Sequence, residues 1–433
     1  MRKLLILGCL SYLAIGFGHV AVGAVMEQLV LKYGVNYEAG GQLIMNQFLG
    51  FLAGVLLAPW LIRRVGRRFS IVLAFVGFAV AETGYALEPD WAVMLGLALI
   101  AGFGFGLGET CIGALVIEIL EERKASAMSL LEVFFGIGAL VLPAAAAWLI
   151  LQGYWLWTFG SVAALGSVVL ALWLLLPLGE AEAYMGKGLR QGGAMAAEVG
   201  AGAGVDSGTR AAAETAAGSV EAPKTAKVQG TGYSRGGMTL LLLGAAFFAV
   251  YVGLEMSFTN YLPAIMSRKS GLSESAATIS LSLYWAAISF GRLFVGRITG
   301  RMGYRNFLLV CCLCAAAVFT GLALVDQAAA VIGLIVVTGL AMAGMFAIGL
   351  VYVNEAFPDK IDRTTSILIS CGGLGGALLP KVTGWLLDSF DVNRAMWQFF
   401  ACSVIMLLLM GLVSREQGRL KRRRKGLVEQ RNG

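Results

Sequence analysis

A shift of 237 residues lays the second half of this sequence over the first. Gly54, Leu56, Arg64, Gly66 and Arg68 fall on Gly291, Leu293, Arg301, Gly303 and Arg305. Gly136, Gly138, Leu142 and Pro143, from GIGALVLP, fall on Gly373, Gly375, Leu379 and Pro380 of GLGGALLP. Glu118 falls on Glu355, and Met1 on Met238. Chance likeness between Gly- and Leu-rich segments explains any one match, but not a common register without gaps. A chain with this pattern folds as two similar units joined by a connector.

Each unit is a series of apolar runs. About 20 mostly apolar residues cross a hydrocarbon core. Candidate spans cover 4–31, 40–62, 69–88, 91–119, 127–150 and 154–178, then 238–266, 275–297, 305–325, 328–356, 364–387 and 393–413. The chain is 58% hydrophobic and 14% charged. One water-facing core cannot cover that much apolar surface, whereas membrane spans leave it against lipid. The expected fold is all-α and integral to the membrane, with twelve transmembrane helices in two pseudo-symmetric six-helix bundles, 1–178 and 238–413. Residues 179–237 are rich in Gly, Ala, Ser and Thr and almost free of aromatics, the composition of a flexible cytoplasmic linker. Residues 414–433, with RLKRRRK, read as a basic cytoplasmic tail. The opening MRKLLILGCLSYLAIGFGHV begins like an export signal, but its apolar run passes residue 25 without a small-residue cleavage site, so it is read as the first span.

A net charge of +7 could serve nucleic acid, but its distribution excludes that partner. With the N-terminus inside, 27 of 33 basic residues lie on the inner side, against Lys32, Arg268, Lys269 and Arg394 outside. That bias predicts a multi-pass protein of the cell membrane with both termini cytoplasmic. The seven cysteines lie mostly within apolar runs and lack metal-ligand spacing. GFGFGLG (102–108) and CGGLGGALLP (371–380) sit inside spans and lack the Lys-Ser/Thr of a nucleotide loop. Small faces that let helices approach explain them better. No metal site, cofactor, ATP site or catalytic triad is read, so the chain is not expected to be an enzyme, and its energy must come from an ion gradient.

Ionisable groups inside the spans carry the functional reading. A charge at the bilayer centre costs about 2.5–3.5 kcal/mol on insertion scales, so an unneeded one is an unlikely resident. At about 1.5 Å per residue, Glu109 in GLGETCIGALVIE lies roughly 15 Å from the inner end of its span, close to the midplane. Glu255 and His19, the only histidine, lie at similar depth. A protonated Glu109 tolerates the bilayer and a charged one does not, so Glu109 is expected to carry the coupling proton. The alternative is a structural carboxyl paired across helices. Under the 237-residue shift Glu255 meets Gly18, the neighbour of His19. Glu255 is thus an acceptor for a solute hydroxyl, a second protonation site, a partner for His19 or a structural hydrogen-bonding residue. His19 is a coupling group or a satisfied structural histidine. Glu82 has no motif around it, and helix packing is the better reading. Glu118 and Glu355 end their spans near the arginines of RRVGRR (Arg64, Arg68) and GRMGYR (Arg301, Arg305). Such pairs would form a gate that closes the inner side, or else remain static surface ion pairs.

GRITGRMGYR (296–305) resembles the loop motif of the major facilitator superfamily, with Gly300 where that motif has an acid. The first-half copy, PWLIRRVGRR, departs further, with Pro59 and Arg63 in place of its Gly and acid. GHVAVG (18–23), NQFLGFLAGVLLAPWLIRR (46–64), GETCIGALVIE (108–118), LLEVFFGIGALVLP (130–143) and YVGLEMSFTNYLPAIM (251–266) are similar to the fucose–galactose–glucose:proton symporters within it. The resemblance covers all the spans and fails in the linker and tail. It implies alternating access around a midplane site between the halves. It also implies that Glu109 stands where fucose-carrying members have a carboxyl for proton handling and sugar contact, and that Glu132 stands where they have a polar cavity residue. Gly23 takes the place of their span-1 aspartate.

A hexose needs hydrogen-bonding side chains for its edges and aromatic faces for its C–H surface. Asn46, Gln47, Asn260, Tyr261, Tyr284 and Trp285 lie at suitable depth, alongside Glu109, Glu132 and Glu255. The expectation is a monomeric importer of a glucose- or mannose-like sugar, coupled to protons and embedded in the lipid bilayer. The rivals are a proton-coupled exporter of drugs or amphiphilic lipids, and a nutrient sensor.

Overall fold

The computed structural model describes residues 2–120, 124–186, 233 and 235–432, so most of the expected linker, 187–232, lies outside the described residues. The first half contains α1 (Arg2–Ala24), α2 (Met26–Tyr33), α3 (Tyr37–Val65), α4 (Arg67–Ala86), α5 (Trp91–Ile119), α6 (Lys124–Leu151) and α7 (Trp157–Leu175). The second contains α8 (Arg235–Ser270), α9 (Glu274–Met302), α10 (Tyr304–Leu324), α11 (Ala328–Met342), α12 (Met345–Asn354), α13 (Ile361–Ser389) and α14 (Val392–Asn432). Twelve crossings are long and apolar enough to span a membrane, with α11 and α12 sharing one. Helices are what the sequence must form there, because lipid offers a backbone N–H or C=O no partner outside its own segment.

The repeat survives as geometry. Gly34 and Gly271 both take a positive φ (59° and 62°) before the helix that makes the second crossing of each half, α3 and α9. That helix is capped by a side chain at matched positions, Asn36 to Ala39 N (2.9 Å) and Ser273 to Ala276 N (3.4 Å). It ends at Gly66 and Gly303, again matched, with φ of 90° and 77° that a side chain would strain.

Glycine also sets helix spacing. A Cβ on Gly102 would lie 1.8 Å from Gln47 O, and one on Gly54 would lie 2.4 Å from Phe103 O. The glycine string of α5 therefore packs against the backbone of α3.

Two features differ from the sequence reading. The last apolar stretch was expected to end at 413, yet α14 continues to Asn432. Arg, Lys, Glu and Gln are good helix formers, so the helix outlasts its hydrophobic part. Gly179–Tyr184 forms a 3-10 turn folded back on α4, where Arg67 N bonds Met185 O (3.1 Å) and Arg68 meets Glu182 (3.0 Å). The linker thus begins as ordered chain.

The halves meet most firmly on the face opposite the one where α1 begins. Asp388 accepts from Tyr37 N (2.9 Å) and Glu38 N (2.7 Å), Tyr261 donates to Tyr37 O (2.7 Å), and Gln28 donates to Glu274 (2.7 Å). On the terminal face the described bonds stay within one half: Arg67 to Glu118, and Lys421 to Glu355 (3.0 Å). The far face is closed by these bonds between the halves.

Candidate functional site

A cavity of about 40 Å³ lies between the halves at mid-depth. Four polar side chains reach it: His19 from α1, Gln47 from α3, and Glu255 and Asn260 from α8. Phe48, Phe51, Phe105 and Phe346 supply aromatic walls, and Met256 fills a side. That volume has room for a few waters.

Local sequence explains how these groups are held. Asn260 Nδ2 donates to Met256 O one turn back (2.9 Å), and a Cβ on the facing Gly23 would lie 2.9 Å from Asn260 Oδ1. The glycine at 23 thus leaves room for Asn260 from the other half. Gln47 reaches Gly18 O (3.5 Å), next to His19. The His19 ring sits among Phe135 (5.5 Å between centroids), Phe48 (6.0 Å) and Trp285 (6.5 Å). Tyr251 shares a side-chain hydrogen bond with Glu255, and the Arg292 charge acts on the same carboxyl.

Glu109 is not on the cavity wall. It lies one helical turn beyond Phe105, toward the terminal face, is 2% exposed, and its Oε1 has no hydrogen-bond partner. Tyr12 of α1 donates to the Glu109 carbonyl (3.3 Å) and stands in the electrostatic field of both Glu109 and Glu132. Three elements of the first half therefore bring two buried carboxyls around one tyrosine. The 237-residue shift sets Glu109 over Phe346 and Glu132 over Ile369. Both counterparts line the cavity.

Other expected site residues stand elsewhere. Asn46 turns from the cavity to α5, donating to Leu95 O (3.0 Å) and accepting from Gln42 (2.9 Å), because it lies about 100° around the helix from Gln47. Tyr261 closes the far face through Tyr37. Tyr284 is fully buried against Phe258 and Met342. Trp285 reaches the site only through its ring contacts with His19 and Phe135 (6.3 Å).

At the terminal face Glu118 pairs with Arg67 rather than with Arg64 or Arg68. Arg64 lies over Trp60 (5.0 Å), and Arg68 binds Glu182. Arg67 is the residue of RRVGRR that turns inward, and its counterpart at 304 is a tyrosine. Glu355 accordingly takes Lys421 and Gln417 as partners, while Arg301 and Arg305 stay exposed. Each pair braces one half and does not join the two.

Sequence reading missed two intramembrane cations, Arg292 of α9 and Lys381 of α13. They are the remainder when 27 inner and four outer basic residues are taken from 33. Lys381 donates to Gln42 across the seam (2.7 Å). Among the described residues, no group of His, Cys, Asp and Glu could hold a metal ion.

The glucose/mannose transporter GlcP of Bacillus subtilis (strain 168) is 26% identical over 413 residues, covering 94% of each chain. Among solved structures, a bacterial homologue of the human lysosomal transporter Spinster, inward-facing and unoccupied, superposes with a TM-score of 0.73. It is 14% identical and covers 96% of this chain and 97% of its own. A D-xylose-proton symporter gives 0.68 at 16% identity, covering 94% and 97%. At such identities the two structures establish a shared fold. The family model for the Major Facilitator Superfamily matches residues 5–328 and again 243–431. Both halves fall within those matches, and this multi-pass membrane protein belongs to the Major Facilitator Superfamily.

Proposed function

We propose that the protein imports a glucose- or mannose-like hexose together with a proton, by alternating access, as a monomer in the cell membrane. The observation that carries this reading is the convergence of His19, Gln47, Glu255 and Asn260, from both halves, on one aromatic-walled cavity. Amide and carboxyl groups suit sugar hydroxyls, and phenylalanine faces suit the C–H surface of the ring. A relative named as a glucose/mannose transporter supports the substrate class. The basic bias of the terminal face supports a cytoplasmic location for both termini. The closed far face then corresponds to an inward-facing carrier, with residues 179–237 as a cytoplasmic linker between working halves. Solute is carried and no covalent chemistry is done on it.

Glu109 is the proposed proton carrier, with Glu255 as a second protonation site or sugar acceptor. Glu109 is buried beside the cavity without a hydrogen bond at Oε1, so carrying a charge there is costly and a proton relieves it. His19, in the cavity wall, is a further proposed coupling group, and Glu132 and Trp285 support the site from its margin.

Proteoliposomes test the reading. Glucose added outside should alkalinise the external medium as protons enter with it. Glu109→Gln should abolish uphill accumulation while leaving glucose exchange intact. Accumulation that survives this change removes Glu109 from coupling. The apolar walls also favour a second reading, an exporter of amphiphiles. External addition of such a compound would then acidify the medium, the opposite sign.

A further inference from the structure

Arg292 has no part in the mechanism above, yet it is a cation within a membrane-spanning helix at the seam between the halves. Helices α6 and α9 run antiparallel along the seam between the halves. Three contacts set their register: Ser275 Oγ donates to Ala147 O (2.7 Å), Ser282 Oγ donates to Leu140 O (2.8 Å), and a Cβ on Gly136 would lie 3.2 Å from Ser289 Oγ. The next turn toward the terminal face brings Glu132, four residues before Gly136, level with Arg292, three residues after Ser289. Arg292 shares a helix face with Ser289 and Trp285, at spacings of three and seven. The Trp285 ring meets Phe135, three residues from Glu132, at 6.3 Å. Both side chains therefore lie on the faces the two helices turn to each other.

Glu132 is buried and Arg292 half-buried, and neither is without a partner. Arg292 also acts electrostatically on Glu255, which lines the cavity, and on Tyr251 and Tyr284. Tyr12 lies in the field of Glu132 and Glu109. By this register one guanidinium, which keeps its charge throughout, is level with a carboxyl of the first half and acts on a carboxyl of the second.

We propose that Arg292 is a positioning residue of the transport cycle, an ionic tie that links Glu132 across the seam to Glu255 at the cavity. Its charge is shared between the two carboxyls, so occupying or neutralising Glu255 strengthens the hold on Glu132. The state of the cavity is thereby read by the packing of α6 on α9. This role rests on the carrier reading, but its tests need no sugar, so failure of the tie and failure of hexose transport are separate results.

In a cysteine-free background in membranes, Glu132→Cys with Arg292→Cys should be joined by a short bis-methanethiosulfonate. The rate should be within about fivefold of that for a Leu140→Cys, Ser282→Cys control. A control that links while the test pair does not would overturn the placement. The ratio of open to closed terminal face, read from spin labels at Phe69 and Ile298, supplies a double-mutant cycle. Arg292→Gln and Glu132→Gln should each shift the ratio at least fivefold, and the double variant should shift it no further than one alone. Arg292→Lys should stay within threefold of the parent. Shifts that simply multiply, or a lysine variant as disturbed as the glutamine one, would overturn the tie.

Discussion

Replacing Gly384 by alanine should prevent the far face from closing as it does here. Gly384 lies on α13 where it crosses the start of α3, and a Cβ there would stand 2.2 Å from Tyr37 O and 2.6 Å from Tyr261 Oη. Ordinary contact begins near 3.4 Å, so the overlap with the carbonyl exceeds an ångström. Tyr37 O cannot retreat freely, since it accepts the 2.7 Å bond from Tyr261, and the Tyr37 and Glu38 amides are held by Asp388. Relief requires α13 to move away from α3, which separates the halves at this face. Overpacking of a close contact costs about 1–3 kcal/mol. Only the closed state bears that cost, so the equilibrium should shift toward an open far face by about 5- to 150-fold. Spin labels at the exposed positions Leu31 and Phe390, in a cysteine-free background, would report this as a longer distance population. Gly96→Ala serves as a control, because a Cβ at Gly96 meets nothing within 4 Å. A Gly384→Ala distance distribution matching that of the parent would refute the idea that α3 and α13 set the closure.

Four further outcomes follow from the same structure. Asp388→Asn removes a charge facing the start of α3 and turns one of the two accepting oxygens into a donor, so only one of the Tyr37 and Glu38 amides keeps its partner. At this exposed site the lost bond should open the far face by only about 2- to 12-fold, or roughly 0.5–1.5 kcal/mol, read with the same labels. Arg67→Gln should lower stability by about 1–3 kcal/mol in thermal unfolding, since Arg67 is 2% exposed and Glu118, 28% exposed, keeps partial access to water. Lys421→Gln breaks the exposed counterpart pair with Glu355 and should cost about 0–1 kcal/mol in the same assay. Gln47→Ala and Asn260→Ala should each raise the glucose KM by about 2- to 12-fold, the loss of one hydrogen bond of roughly 0.5–1.5 kcal/mol. An unchanged KM in both would place the sugar elsewhere.

The architecture could be read before any coordinates because its causes are local or periodic. Twelve apolar runs and one 237-residue register describe twelve crossings in two halves. The matched glycines and caps follow from that register, since Gly66 and Gly303 do the same backbone work in separate halves. Lipid imposes helices on any such run, so little is left to competition between structures. Intramembrane Glu109, Glu255 and His19 were legible for the same reason, as charged or polar groups in segments that exclude them.

Side-chain direction was beyond the reach of one sequence. Asn46 and Gln47 are neighbours in the chain, yet one faces α5 and the other the cavity. Glu109 was expected at the centre of the site, but the packing of α1 against α5 places it a turn away beside Tyr12. The partner of Glu118 proved to be Arg67, and Arg292 emerged only once α6 and α9 were aligned. Periodicity marks how deep a residue lies along its helix. Rotation about the helix axis, and the neighbour it meets there, depends on contacts between segments hundreds of residues apart, and only the assembled bundle decides them.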